Sequence, residues 1–187
     1  MSDSRWTDVD RDIDLALKHF GMADRIFQAD GFDAPDLDGY KSSTSFMHAM
    51  GAGYTSVENA LKRILDILGE TPPSGDAWQD LIERVSRPMG GSNARPAFFD
   101  DEMRRDLLEC LRMRHRVCHN DYDEFIPTKA EPSVGAARRV VSRIKGVIAR
   151  FRKQVDPDPN DENDGGMEPG AAHLADRRSS FGTTCHP

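Results

Sequence analysis

Apolar residues recur every three or four positions along most of the first 155 residues, which is the spacing of one buried face of an α-helix. No segment shows a convincing alternation of apolar and polar residues, the pattern of a half-buried strand. The chain is therefore predicted to be all-α, a helical bundle of four to five helices. The predicted helices cover residues 5–29, 40–68, 76–86, 101–119 and 134–154.

Local residues set the expected helix ends. Gly69 and the following "TPPSG" should end the second helix, since glycine and proline terminate helices. Asp100 or Asp101 is expected to cap the fourth helix, and Ser133 the last one. The stretch "MGAGY", 50–54, marks a place where the second helix could kink.

The C-terminal segment has a different composition. Residues 156–187 lack helical periodicity, are rich in Pro, Gly and Asp, and hold seven acidic residues against two arginines, a net charge of −5 out of −7 for the chain. We therefore predict a folded domain over 1–155 and a disordered acidic tail over 156–187. Because much of the negative charge lies in this tail, the acidic composition does not argue against a nucleic-acid partner for the folded part.

Cysteine content and hydropathy indicate the cellular compartment in which the protein is expected. The chain has three cysteines, an odd number without the spacing of a disulfide framework. No apolar run approaches membrane-spanning length, and the polar, acidic N-terminus is unlike a signal peptide. A reduced, cytoplasmic protein without a membrane contact is expected.

The stretch "RMRHRVCH", 112–119, concentrates positive charge at the end of the predicted fourth helix. Within it, Arg114 and His119 form the pattern R-x-x-x-x-H. An arginine that neutralises phosphate and a histidine that transfers a proton suffice for metal-free RNA cleavage, because the 2′-hydroxyl of RNA is itself the nucleophile. By itself, the pattern is more typical of a solvated basic helix face.

A zinc site is the competing interpretation of this stretch. His115 and His119 are four positions apart and could share a helix face, with Cys118 or Asp121 nearby. However, Cys118 lies about 100° around the helix from His119, and no third ligand has a recognisable spacing. The sequence therefore predicts neither a metal nor another cofactor.

Three stretches together resemble the HepT-like toxins of the HEPN (higher eukaryotes and prokaryotes nucleotide-binding) superfamily. "GYTSVENALKRI" resembles the opening of the family's second long helix, and "GDAWQDLIERVSRP" its short tryptophan-containing helix. "RMRHRVCH" resembles the family's Arg-His-x-x-x-His signature, and the similarity covers roughly residues 40–153. The resemblance implies a dimer in which two signature helices face one another, and a metal-independent endoribonuclease. It also implies a toxin paired with a nucleotidyltransferase-type antitoxin, which can modify a tyrosine two residues after the signature histidine.

The resemblance assigns roles to individual residues. Arg114 and His119 would be the catalytic pair, and His115 would orient or assist. This chain carries Asp121 at the position of the family's tyrosine, and Tyr122 follows one residue later. The remaining expected site residues are Arg112 and Arg116 as RNA contacts, and Glu58, Asp121 and Tyr122 as supporting residues.

Several of these residues also have a purely structural interpretation. Glu58 either supports the signature or is an ordinary exposed helical glutamate. Tyr54 and Trp78 are expected to pack between helices. The last helix is rich in basic residues, which form either a solvated face or a contact for RNA or a partner protein.

The sequence favours a homodimeric endoribonuclease that cleaves RNA by 2′-hydroxyl attack and acts as a toxin. The alternative is a catalytically silent helical module that binds a partner protein, such as a nucleotidyltransferase-type antitoxin, or a nucleotide. A plain structural bundle is a third interpretation, and it predicts neither dimerisation through helix 101–119 nor toxicity.

Overall fold

The computed structural model describes residues 4–32, 36–73, 78–91, 94–118 and 125–157, apart from the side chains of Val117 and Cys118. These residues form five helices and no named strand, which confirms the predicted all-α bundle. The predicted tail lies outside the described residues from position 158 onward and stays a prediction. The helices are α1 (Ser4–Ala29), α2 (Leu37–Ile67), α3 (Trp78–Val85), α4 (Asp101–Cys118) and α5 (Pro127–Val155).

The four long helices pack around one core. α1 contacts α2 and α5, and α4 contacts the same two helices from the other side. The short helix α3 packs against α4 and α2. Among the described residues, no helix combines the length and the apolar character that crossing a membrane requires.

Within "MGAGY", Gly53 serves helix packing, and α2 continues unbroken through this stretch. A Cβ atom built on Gly53 would lie 2.6 Å from the ring of Phe20 on α1. Only a glycine lets the two backbones approach this closely. Because Tyr54 follows Gly53 directly, this contact also fixes the rotation of the α2 segment that faces α4.

Two of the predicted helix ends are confirmed. Gly69 follows α2 with a positive φ of 70°, and its N–H donates to the carbonyl of Asp66. Asp100 precedes α4, and its carboxylate accepts a hydrogen bond of 2.8 Å from the N–H of Met103.

The predicted start of the last helix is wrong. α5 begins at Pro127, where a missing N–H costs nothing, and it contains Pro132 within its first turns. Ser133 is therefore inside the helix and caps nothing. Its buried hydroxyl instead donates to the Glu109 carboxylate at 3.0 Å, which ties α5 to α4.

A buried ion pair seats α3 against the end of α2. The Glu70 carboxylate accepts hydrogen bonds from Arg95 in the loop after α3 and from Arg84 on α3 itself. Burial raises the pKa of Glu70, but the hydrogen bonds and charges of Arg95 and Arg84 outweigh it and hold that pKa below its usual value. Glu70 is therefore ionised at neutral pH and bridges two segments that are not neighbours in sequence.

Asp156, which the sequence places in the tail, contacts α1. Its carboxylate accepts a hydrogen bond of 2.9 Å from the indole N–H of Trp6 and lies 3.4 Å from Arg5. Its own N–H donates to the carbonyl of Arg152 and closes the end of α5. These contacts join the C-terminus of α5 to the N-terminus of α1.

Replacement of Asp156 by alanine should lower the free energy of unfolding by about 1 kcal/mol, because a partly buried hydrogen bond to a charged group is lost. Denaturant unfolding of the full chain measures the change. Glu131→Ala, at an exposed acid near the start of α5, is the control and should change stability by less than about 0.5 kcal/mol. Equal effects of the two substitutions would contradict a stabilising role for the Asp156 contact.

Candidate functional site

Arg114 lies where α4 meets α2 and α3, and its side chain is only 14% exposed. The carbon of its guanidinium lies over the ring of Trp78, and the ring of Tyr54 is 6.0 Å away. Its Nε donates to the hydroxyl of Thr55 over a long 3.5 Å, and its Nη2 lies 4.0 Å from Oε2 of Glu58. One arginine thus brings together three helices.

Glu58 is buried, at 6% relative exposure, so its interpretation as an exposed helical glutamate is wrong. Its Oε1 accepts a hydrogen bond of 2.5 Å from the Nζ of Lys62 one turn along α2. Its Oε2 is buried and has no hydrogen-bond partner among the described residues, and Nη2 of Arg114 lies 4.0 Å from it. A buried carboxylate needs such a positive neighbour, since an isolated charge in the interior is costly.

Tyr54 forms the inner wall of this site and is almost fully buried. Its ring stacks near that of Trp78, with centroids 6.3 Å apart. Burial and the negative charge of Glu58 raise the pKa of the Tyr54 phenol, and the positive charge of Arg114 offsets part of that rise. Tyr54 is therefore neutral at physiological pH and does not serve as a proton acceptor there.

The other predicted residues of α4 face solvent. Arg112, His115 and Arg116 are exposed, and Arg112 forms an ion pair of 2.6 Å with Glu109. The structure does not bring these three side chains into the cluster around Arg114. His119, Asp121 and Tyr122 lie outside the described residues, although α4 ends at Cys118, directly before His119.

The sequence did not reveal the contacts that surround Arg114. Thr55 and Lys62 were not singled out, and Trp78 was expected only to pack. The i, i+4 spacing of Tyr54, Glu58 and Lys62 does place them on one face of α2. No local signal connects that face to Trp78 or Arg114, because they lie on other helices.

A protein-family model described as "HepT-like protein" matches residues 45–155, which is more than half of the chain. The chain belongs to the HepT-like family. The match begins inside α2 and ends at the last residue of α5, so it contains the whole cluster around Arg114. The resemblance drawn from the sequence is thereby confirmed. No curated protein and no solved structure gives a match.

The basic residues of α5 in this HepT-like chain are largely compensated within the molecule. Ion pairs join Arg138 to Asp24 and Lys145 to Asp14, both on α1. Exposed pairs of this kind add little stability, but they cancel the local positive charge. The geometry therefore favours the solvated face over a basic contact surface. The further pairs are Arg139 with Asp106, Arg143 with Asp100, and Arg152 with Asp10.

Histidine, cysteine and acidic side chains are the possible metal ligands of this chain. Within the described ranges, no group of three or more His, Cys, Asp or Glu side chains is placed to hold a metal ion. Cys110 is a free, fully buried thiol, and burial raises its pKa. Cys110 is therefore a packing residue of the core, because a neutral buried thiol is unreactive.

Replacement of Glu58 by glutamine should lower the free energy of unfolding by about 1 to 3 kcal/mol, because Lys62 and the partly buried Arg114 then keep their charges without their shared carboxylate partner. Denaturant unfolding measures the loss. The matched control is Asp66→Asn, the same change from acid to amide at an exposed position of α2, which should change stability by less than about 0.5 kcal/mol. A loss no larger than that of the control would show that the charge of the Glu58 carboxylate is energetically unimportant in this cluster.

Proposed function

We propose that this HepT-like protein is a metal-independent endoribonuclease and acts as the toxin of a toxin–antitoxin pair. The observation that carries the proposal is the state of Arg114. Its guanidinium is held on one side by Trp78 and Glu58, while its Nη1 has no hydrogen-bond acceptor among the described residues. It lies five positions before His119 in the sequence, so the signature combines a hydrogen-bond donor for phosphate with a side chain that can transfer a proton.

The proposed reaction is an internal transfer at phosphorus. The 2′-oxygen of the RNA forms a bond to the adjacent phosphorus while the bond from phosphorus to the 5′-oxygen breaks, which leaves a cyclic 2′,3′-phosphate and a 5′-hydroxyl. His119 either accepts the proton that leaves the 2′-hydroxyl or donates the proton that the 5′-oxygen takes up, and water exchanges the other proton. Arg114 neutralises the charge that develops on the phosphoryl oxygens.

The remaining residues have supporting roles in the proposal. His115 orients the substrate or assists His119, and the exposed Arg112 and Arg116 contact the RNA backbone. Asp121 and Tyr122 follow His119 in the sequence and, in the proposal, have a supporting role at the signature. Tyr122 is also the nearest tyrosine to the position that a nucleotidyltransferase-type antitoxin modifies in the family.

Replacement of His119 by alanine should lower the rate of RNA cleavage by a factor on the order of 10² or more, as expected for the loss of a general acid or base. Arg114→Ala should lower the rate by a similar factor. Arg114→Lys should not restore full activity, because an ammonium lacks the planar pair of N–H groups that can bind two phosphate oxygens. Arg105→Ala is the matched control, an exposed arginine on the same helix. Gel analysis of a defined RNA measures all four rates.

The same assay separates this mechanism from the zinc interpretation. Cleavage should continue in EDTA and should stop on a substrate with 2′-deoxyribose at the scissile position, because the nucleophile is then missing. Loss of cleavage in EDTA that zinc restores, with His115 and His119 equally essential, would contradict the proposed mechanism.

We expect a homodimer in which two α4 helices face one another. Five positions along a helix correspond to about 140° of rotation, so one copy of the R-x-x-x-x-H pattern makes a poor site by itself, whereas two facing copies can combine the arginine of one with the histidine of the other. Mixing the inactive Arg114→Ala and His119→Ala chains under subunit exchange should therefore restore about a quarter of the wild-type activity, since half the dimers are mixed and each has one complete site. The two unmixed variants are the controls. No recovery, or a monomer by light scattering at micromolar concentration, would contradict the shared site.

A second candidate function rests on the sequence at Asp121. A carboxylate in the place of the family's tyrosine repels an approaching phosphate and favours a catalytically silent module that binds an antitoxin-type partner protein or a nucleotide. Wild-type and His119→Ala chains that affect growth and RNA integrity equally would favour this alternative.

A further inference from the structure

We infer that Trp78 is a positioning residue, which holds the guanidinium of Arg114 by stacking and so presents its N–H groups to the substrate. The inference rests on the proposed function for its catalytic consequence. The stack itself is a separate physical claim about two residues, and it can be tested without any RNA.

Stacking suits this purpose because it uses a part of arginine that hydrogen bonding does not. The guanidinium carbon lies close over the centre of a Trp78 ring, an approach that two flat groups make face to face. The N–H groups point outward in the plane of the guanidinium, so the stack leaves them free. One edge is directed toward Thr55 and Glu58, and the Nη1 edge has no acceptor among the described residues. A phosphate oxygen is the ligand that this edge fits.

Trp78 is itself held firmly enough to position another side chain. It is the first residue of α3, whose Leu81, Ile82 and Val85 are buried in the core. The Glu70–Arg84 ion pair ties the same helix to the end of α2. On the α2 side, the ring of Tyr54 packs near Trp78. A flat surface on a seated helix restricts the rotation of a long, flexible side chain.

The stack also gives a second reason why lysine should not replace Arg114. An ammonium group has no flat face to lie against the indole. The loss caused by Arg114→Lys should therefore depend on whether Trp78 is present. Two residues that act through one contact show non-additive effects, whereas independent residues show additive ones.

Fluorine NMR of the full chain labelled with fluorotryptophan tests the stack directly. The chain has two tryptophans, and each lies beside an arginine: Trp78 beside Arg114, and Trp6 beside Arg152, whose guanidinium carbon is 5.3 Å from the ring centroid. Arg114→Ala should shift the Trp78 signal and leave that of Trp6 in place. Arg152→Ala should do the reverse, and Arg105→Ala should shift neither. An unmoved Trp78 signal in Arg114→Ala overturns the inference, whatever the protein does to RNA.

A double-mutant cycle on RNA cleavage tests the consequence. Trp78→Leu should lower kcat by about 3- to 30-fold with little change in KM, and Trp78→Phe, which keeps a flat ring, should restore most of the rate. Arg114→Lys should lower kcat by a clearly smaller factor in the Trp78→Leu background than in the wild type. If kcat of the double variant falls by the product of the two single-variant factors, the residues act independently and the positioning role is overturned. A wild-type chain that cleaves no RNA refutes the proposed function instead, and the fluorine signals then still decide whether Trp78 holds Arg114.

Discussion

The site of this HepT-like protein depends on the partial burial of one positive charge. Arg114 carries its guanidinium into the junction of α2, α3 and α4, where only 14% of the side chain reaches solvent. A charge in such a place is tolerated only if other groups replace its lost hydration. The carboxylate of Glu58 and the ring face of Trp78 provide this replacement from two different helices. The relative placement of the three helices and the orientation of the arginine therefore depend on each other.

The contacts that maintain this junction extend beyond it. Gly53 lets α2 lie close against Phe20 of α1, and this close packing sets which face of α2 meets α4. Glu70 binds Arg84 and Arg95, which keeps α3 and its following loop at the end of α2. Neither contact touches the guanidinium. Both contacts limit the movement of the helices that carry Glu58 and Trp78, which do touch it. A buried framework makes a polar site rigid in this way.

The distribution of charge distinguishes two basic regions that look alike in the sequence. On α5, arginine and lysine side chains meet acids of α1 and α4, so their charge is compensated within the molecule. On α4, Arg112 meets only its own neighbour Glu109, and Arg116 is exposed with no ion pair to another described residue. Arg112 and Arg116 therefore leave exposed positive charge near the end of α4, beside the signature.

Local information in the sequence was sufficient for the helices and most of their ends. The spacing of apolar residues, the cap at Asp100 and the positive-φ turn at Gly69 act over three or four positions, so a linear chain displays them directly. Where a local signal was misleading, tertiary contact decided: Ser133, which resembles a cap, lies inside α5, and its hydroxyl binds Glu109 on α4. The burial of Glu58 and the meeting of Arg114 with Trp78 could not be predicted in this way. They depend on how three helices are rotated against each other, and that rotation is set by the packing of the whole core.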